Sequence, residues 1–212
     1  MNQQQEQLDA IRDIRNLMER SSRFSSLSGL AGVIVGILAI GATTAAYLLL
    51  GITLFEPGYA TLLNKESPIA GYPSFTLLVA DFALVLLLSL LTGIYLSVRK
   101  ARKLQLPVWD ATAKRMLLNL SIPLVTGGIY CLILLYQAQP ALVLPATLLF
   151  YGLALLHASK YTINDIRYLG VLEVMLGLMA SYFTDQGLLF WVVGFGILHI
   201  VYGIRIYFKY EQ

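Results

Sequence analysis

Charged residues, cysteines and histidines are all scarce in this chain. Asp, Glu, Lys and Arg together make up 13% of its 212 residues, whereas 58% are hydrophobic and the mean hydropathy is +0.71. A soluble domain carries roughly 25% charged residues, so the composition indicates a protein of the lipid bilayer. The single cysteine, Cys131, excludes an intramolecular disulfide. No Cys/His cluster has the spacing of a metal site, so we predict neither a metal nor another cofactor.

Sequence motifs of several functional classes are missing as well. There is no Gly-x-Ser-Gly nucleophile of rhomboid-type proteases, no HExxH and no pair of cysteines for quinone-linked oxidation. Residues 1–26 are polar where a secretory signal has its apolar core. The basic segment Arg99–Arg115 has no accompanying nucleic-acid-binding fold. The sequence therefore predicts no catalytic residue and no nucleic-acid partner, and it leaves enzymatic activity open without favouring it.

Long apolar segments dominate the rest of the chain. Six of them reach or approach the roughly 20 residues that cross about 30 Å of hydrocarbon. We therefore predict an all-α membrane protein, with an amphipathic helix over residues 1–24 and a single six-helix transmembrane domain over residues 25–210. The predicted spans cover about 27–52, 74–98, 116–137, 142–158, 167–184 and 188–208.

Basic residues fall almost entirely on one side of these six spans. Fourteen Lys and Arg residues lie in the N-terminal segment, in the loops after the second and fourth spans, and after the sixth span; only Lys65 lies on the other side. The positive-inside rule then predicts that both termini are cytoplasmic. The N-terminal helix either lies on the membrane surface with its arginines near anionic lipid headgroups, or extends the first span into the cytoplasm.

Small residues recur on single faces of three predicted spans. Such faces let helix backbones approach closely in lipid, either inside the bundle or at a seam between copies of the chain, so a homo-oligomer is one interpretation. The glycines concerned are Gly29, Gly32 and Gly36 in the first span, Gly170 and Gly177 in the fifth, and Gly196 and Gly203 in the sixth.

Glu173 and His199 are ionisable residues inside the last two predicted spans. Both lie thirteen residues from Gln186, at the turn between the spans, and each lies six residues from an arginine, Arg167 or Arg205. Because a helix rises 1.5 Å per residue, the two side chains should lie at the same depth. Both also share faces with small residues, so we predict a hydrogen bond or ion pair between them.

Other polar residues define the surroundings of this predicted pair. Asn119 and His157 are candidates to extend its layer, and Tyr202 lies one helical turn from His199. Asp81 belongs to a second layer, about seven residues in from the outer end of the second span. Charges at this depth are expensive and are functional candidates by default.

The segment "IRDIRNLMERSSRFSSLSGLAGVIVGILA" resembles the start of a group of uncharacterised multispan membrane proteins from Bacteroidota-type bacteria. This resemblance implies a bacterial inner-membrane setting and no particular activity.

The sequence supports two functional hypotheses. The first is a small transporter or channel-like protein for a proton, a cation or an apolar molecule, using Asp81, Glu173 and His199. The second is a membrane sensor, subunit or scaffold that binds lipid or a protein partner through its N-terminal helix and basic loops. In the first hypothesis Asn119, His157 and Tyr202 also border the path.

Overall fold

A computed structural model describes residues 5, 7, 27–50, 74–105 and 107–211. The predicted amphipathic helix over residues 1–24 lies outside the described residues, apart from the two single positions. Within the described ranges, all regular secondary structure is helical. The five principal helices that come first are α1 (Gly29–Leu50), α2 (Ser74–Lys103), α3 (Ala111–Tyr136), α4 (Val143–Ala158) and α5 (Asp165–Tyr182).

The sixth helix is built in three continuous parts. It starts as α6 (Gly187–Trp191), widens into a π-helical segment (Val192–Leu198) and returns to regular geometry in α7 (His199–Tyr210). A π-helix closes its hydrogen bonds between residues five apart, and it occurs frequently at functional sites. This change of helical geometry is not among the sequence-based expectations.

Five of the six described helices are long and apolar enough to cross a membrane. The exception is α5, which has 18 residues that include Asp165, Arg167 and Glu173. The helical class and five of the predicted spans are therefore confirmed by length and composition, which are compatible with a polytopic membrane protein. The side on which the termini lie stays a prediction.

The helix ends of α2 and α3 extend beyond the apolar segments that predicted them. α2 continues through a basic last turn to Lys103, and α3 begins at Ala111, five residues before the predicted start of the third span. Asp110 caps α3, because its Oδ1 accepts a hydrogen bond from the backbone N–H of Ala113 at 2.6 Å. The helical hydrogen bonding of α2 and α3 therefore continues into the polar residues that flank their apolar segments.

The helices pack side by side in a definite order. α1 contacts α2 and the sixth helix, while α4 contacts α3 and α5. α5 and the sixth helix contact each other. Lys100 of α2 reaches Leu27 just before α1, and Asp165 of α5 reaches Arg205 of α7. These contacts place the basic loops at one end of the bundle, which we call the basic end.

Glycines allow α1 to lie directly against the sixth helix. A Cβ atom on Gly29 would lie 2.5 Å from the carbonyl oxygen of Gly203, and one on Gly36 would lie 2.6 Å from that of Gly196. Gly32 faces Gly203 in the same way. Packing inside the chain is therefore observed for these glycines, and a homo-oligomer stays a prediction.

The small face of α5 packs mainly against α4. Gly170 lies against Gly152, where an added Cβ would be 2.9 Å from the Gly152 carbonyl oxygen, and Gly177 lies against Pro145 and Leu149. This close approach turns the same face of α5 inward, and Glu173 lies on it.

Candidate functional site

Glu173 is the most deeply buried ionisable side chain in the described part of the chain. It has 0% exposure, and Leu148 beside it is equally buried. Neither carboxyl oxygen of Glu173 has a hydrogen-bond partner among the described residues. Most buried polar side-chain atoms in proteins are hydrogen-bonded, and an unpaired buried carboxylate is costly. Glu173 is therefore an exception that calls for a chemical explanation.

His199 lies beside Glu173, as depth counting predicts. Its Nδ1 is 3.5 Å from Glu173 Oε1, and the histidine side chain is 5% exposed. The nearest acceptor for Nδ1 is a different group, the carbonyl oxygen of Gly194 at 2.9 Å. The predicted proximity is thus confirmed, whereas the short hydrogen bond of the imidazole goes to the backbone of its own helix.

The partners of His199 determine where its protons lie. The Gly194 carbonyl can only accept a hydrogen bond, so Nδ1 carries a hydrogen. The other ring nitrogen, Nε2, is 2.8 Å from the hydroxyl oxygen of Tyr151. In a neutral imidazole with hydrogen on Nδ1, Nε2 is an acceptor and Tyr151 must donate to it. In the imidazolium form, Nε2 donates and the Tyr151 oxygen accepts.

Gly194 gives Glu173 the space that it occupies. A Cβ atom on Gly194 would lie 2.5 Å from Glu173 Oε2 and 2.6 Å from Leu148 Cδ2. Any larger residue would displace the carboxyl group. Gly194 belongs to the π-helical segment, so one residue supplies both the acceptor for His199 and the room for Glu173.

Tyr151 is a member of the site that the sequence analysis missed. Its ring packs against Phe195 with centroids 4.9 Å apart, and Phe195 stacks on His199 at 5.7 Å. The sequence contains a usable signal for Tyr151. Tyr161 lies in the turn between α4 and α5; Tyr151 precedes Tyr161 by ten residues and Glu173 follows Tyr161 by twelve. The counting that paired Glu173 with His199 would have placed Tyr151 near the same depth.

Three other described candidates form no hydrogen bond with the Glu173 carboxyl. His157 is exposed. The Asn119 amide donates to the carbonyl oxygen of Arg115 in its own helix at 2.8 Å. Tyr202 is half-buried and packs on the apolar cluster that contains Leu155 and Ile206. Their part in any path stays a prediction.

Asp81 of α2 defines a second polar position. Its side chain is half-buried, and its Oδ2 is buried without a hydrogen-bond partner among the described residues. Two hydroxyls of α1 donate within their own helix, Thr43 to the Ala39 carbonyl at 3.0 Å and Thr44 to the Ile40 carbonyl at 2.8 Å. Asp81 therefore also carries an oxygen whose hydrogen bonding is incomplete.

An ionic cluster around Asp165 joins α5 to α7 at the basic end. Asp165 is 2% exposed and accepts hydrogen bonds from Arg205 Nε at 2.9 Å, Lys209 Nζ at 2.8 Å and the Tyr210 hydroxyl at 2.8 Å. Asp165 precedes the apolar part of α5. Burial by itself raises the pKa of this carboxyl, but the hydrogen bonds from Lys209 and Tyr210 and the nearby positive charges outweigh it, so the pKa lies below its ordinary value.

Glu211 joins three helices at the same end. Its carboxylate accepts hydrogen bonds from the backbone N–H of Gly29, at the start of α1, and from Lys100 Nζ of α2 at 3.2 Å. Lys100 also donates to the Leu27 carbonyl at 2.7 Å. A negative charge at a helix N-terminus is favourable. Lys100, Arg205 and Lys209 in the Glu211 and Asp165 clusters contribute to the sequence-based prediction only through the positive-inside rule.

The fold and these sites define an all-helical protein with an ionisable group sealed between its helices. Within the described ranges, no group of three or more His, Cys, Asp or Glu side chains is arranged to hold a metal ion. No protein-family model, no curated protein and no solved structure matches the chain.

Proposed function

We propose that this chain is a polytopic inner-membrane protein that transports or conducts a proton or a small cation. Glu173 is the observation that supports the proposal, because it is fully buried and neither of its oxygens has a hydrogen-bond partner in the part of the chain that the structure describes. In this proposal both termini are cytoplasmic, so that the basic end faces the cytoplasm.

A lone buried charge is costly. Removing a carboxylate from water costs several kcal/mol even after relaxation, and no hydrogen-bond donor among the described residues offsets that cost for Glu173. A positively charged partner or a bound proton removes the penalty, so the position favours capture of a cationic species. The imidazole at 3.5 Å supplies one such partner when it is protonated.

Asp81 supports the proposal as a second station. It lies on α2, toward the opposite end of the bundle in the predicted topology, and has its own unpartnered buried oxygen. Two acids at different depths suit stepwise passage of a positive charge across the membrane.

Proteoliposomes test the transport role of Glu173. We expect wild-type protein to move protons or sodium ions down an imposed gradient, and Glu173→Gln to reduce that flux to the level of protein-free liposomes. Asp185→Asn is the matched control, since Asp185 is an exposed acid in the turn before α6. If Glu173→Gln keeps the wild-type flux and lowers only the thermal stability, Glu173 is a structural residue. The sensor or subunit hypothesis is then preferred.

A further inference from the structure

Tyr151 differs from the other groups that surround the Glu173–His199 pair. Glu173 is sealed from solvent, and the Gly194 carbonyl can only accept a hydrogen bond. The Tyr151 hydroxyl can both donate and accept, and its residue is half-buried rather than sealed. Among the described residues around this pair, Tyr151 is therefore the one whose hydrogen bond with His199 Nε2 can exchange donor and acceptor without being broken.

We propose that the pair binds one exchangeable proton, and that this proton enters and leaves at His199 Nε2 through the Tyr151 hydroxyl. This inference rests on the proposed function and narrows it, because it names the proton as the species that the site takes.

The binding step conserves atoms and charge. In the empty state the imidazole is neutral, Nδ1–H donates to Gly194, and the Tyr151 O–H donates to Nε2. The Tyr151 hydroxyl passes its hydrogen to the Nε2 lone pair, which forms imidazolium, and the Tyr151 oxygen takes a replacement proton from a hydronium ion, which is left as water. The Tyr151 oxygen then accepts a hydrogen bond from Nε2–H. The Glu173 carboxylate, 3.5 Å from Nδ1, then faces a positive charge, and the pair is neutral overall. Release reverses each step.

The composition of the site favours a proton over a metal ion. Calcium and magnesium take six or more oxygen ligands. Among the site's described groups, only the two oxygens of Glu173 lack a hydrogen-bond partner, because the Gly194 carbonyl and the Tyr151 hydroxyl already bind the imidazole. A proton needs no more than the one lone pair at Nε2.

Few other ionisable groups act on His199. Among the helices packed against its part of the sixth helix, α5 contributes Glu173 and α4 contributes Tyr151, while α6 contributes no ionisable residue. The ionisable residue of α1 is Tyr47, which is exposed. Along α7, Tyr202 and Arg205 follow within two turns, and Arg205 is engaged by Asp165.

The first test measures the protons of His199 directly by NMR. The chain contains two histidines, so ¹⁵N-histidine labelling of a His157→Gln variant leaves His199 as the sole labelled ring. We expect its neutral form to carry hydrogen on Nδ1, with Nε2 as a hydrogen-bonded lone pair. A neutral ring with hydrogen on Nε2 instead would overturn the proposal. This result does not depend on whether the protein transports anything.

The second test is proton flux in proteoliposomes that contain Tyr151→Phe. This variant keeps the ring that packs on Phe195 and removes only the hydroxyl. We expect proton flux to fall by about a hundredfold or more, on the scale of losing a positioned proton-transfer group. Tyr130→Phe in α3 is the control, because Tyr130 is 43% exposed and packs on Phe150 instead; its flux should equal that of wild type.

The outcomes separate the inference from the proposed function. If wild-type protein moves protons and Tyr151→Phe moves them equally fast, the route through Tyr151 is wrong and the transport proposal stands. If wild-type protein moves sodium ions but no protons, the proton is the wrong substrate, and the proposal that the protein transports a cation stands. If Tyr151→Phe cannot be reconstituted, the tautomer measured on the Tyr151-containing protein decides.

Discussion

Gly203→Ala tests whether the contact between α1 and α7 holds the bundle together. Gly203 lies where these helices are in close contact, and its added Cβ would be 2.6 Å from the Val33 nitrogen, 2.7 Å from the Gly29 oxygen and 3.0 Å from the Gly32 carbonyl carbon. Ordinary contact begins at about 3.4 Å. All three atoms belong to the backbone, so no side chain can rotate away, and the helices must separate by up to about 1 Å, which also weakens dispersion along the seam.

The size of the effect follows from two opposing terms. Overpacking a tight interface costs about 1–3 kcal/mol, whereas replacing glycine by alanine inside a helix gains about 0.5–1 kcal/mol. We expect Gly203→Ala to lower the free energy of unfolding by about 1–2 kcal/mol. Gly128→Ala in α3 is the matched control, because an added Cβ there meets nothing within 4 Å. Gly128→Ala keeps only the gain in helix propensity and should raise the free energy of unfolding by about 0.5–1 kcal/mol.

Reversible unfolding in mixed detergent micelles, with helicity followed by circular dichroism, measures both variants under identical conditions. A Gly203→Ala protein as stable as wild type would show that α1 and α7 do not pack as closely as described. Equal changes in the two variants would have the same meaning, because helix propensity alone would then account for both.

Two further changes test the clusters at the basic end. Asp165→Asn should destabilise the fold by about 1.5–3 kcal/mol, the usual value of hydrogen bonds to a charged group; the same unfolding assay checks this against Asp185→Asn, which should behave as wild type. Glu211→Gln should cost about 0.5–2 kcal/mol, as loss of a helix cap does, and should speed hydrogen exchange at the Gly29 amide. Unchanged exchange there would contradict the capping role of Glu211.

Counting residues from a turn predicted correctly that His199 lies beside Glu173. It worked because two helices joined by a short turn rise at the same rate, so that equal distances from Gln186 mean equal depth. The faces were predictable too, since small residues mark the sides on which helices meet. Together these two regularities predicted that His199 lies beside Glu173. In the structure, His199 Nδ1 is 3.5 Å from Glu173 Oε1.

The hydrogen-bond partners of His199 could not be predicted from the sequence in the same way. The π-helical segment differs from an α-helix by one residue in hydrogen-bond register, which the apolar sequence "VVGFGIL" does not encode. It is this segment that contains the Gly194 carbonyl to which His199 binds. Tyr151 was overlooked because a tyrosine in an apolar segment has no distinguishing pattern, and its role depends on how α4 is rotated against α7.

The position of Glu211 has a consequence for the order in which the protein is completed. The residue that caps α1 lies 182 positions after Gly29 in the chain. During synthesis α1 is made before α7, and its cap is made only after α7, so the start of α1 lacks that partner until the sixth helix has been added. A change made directly after residue 211 would therefore act on α1 as much as on α7.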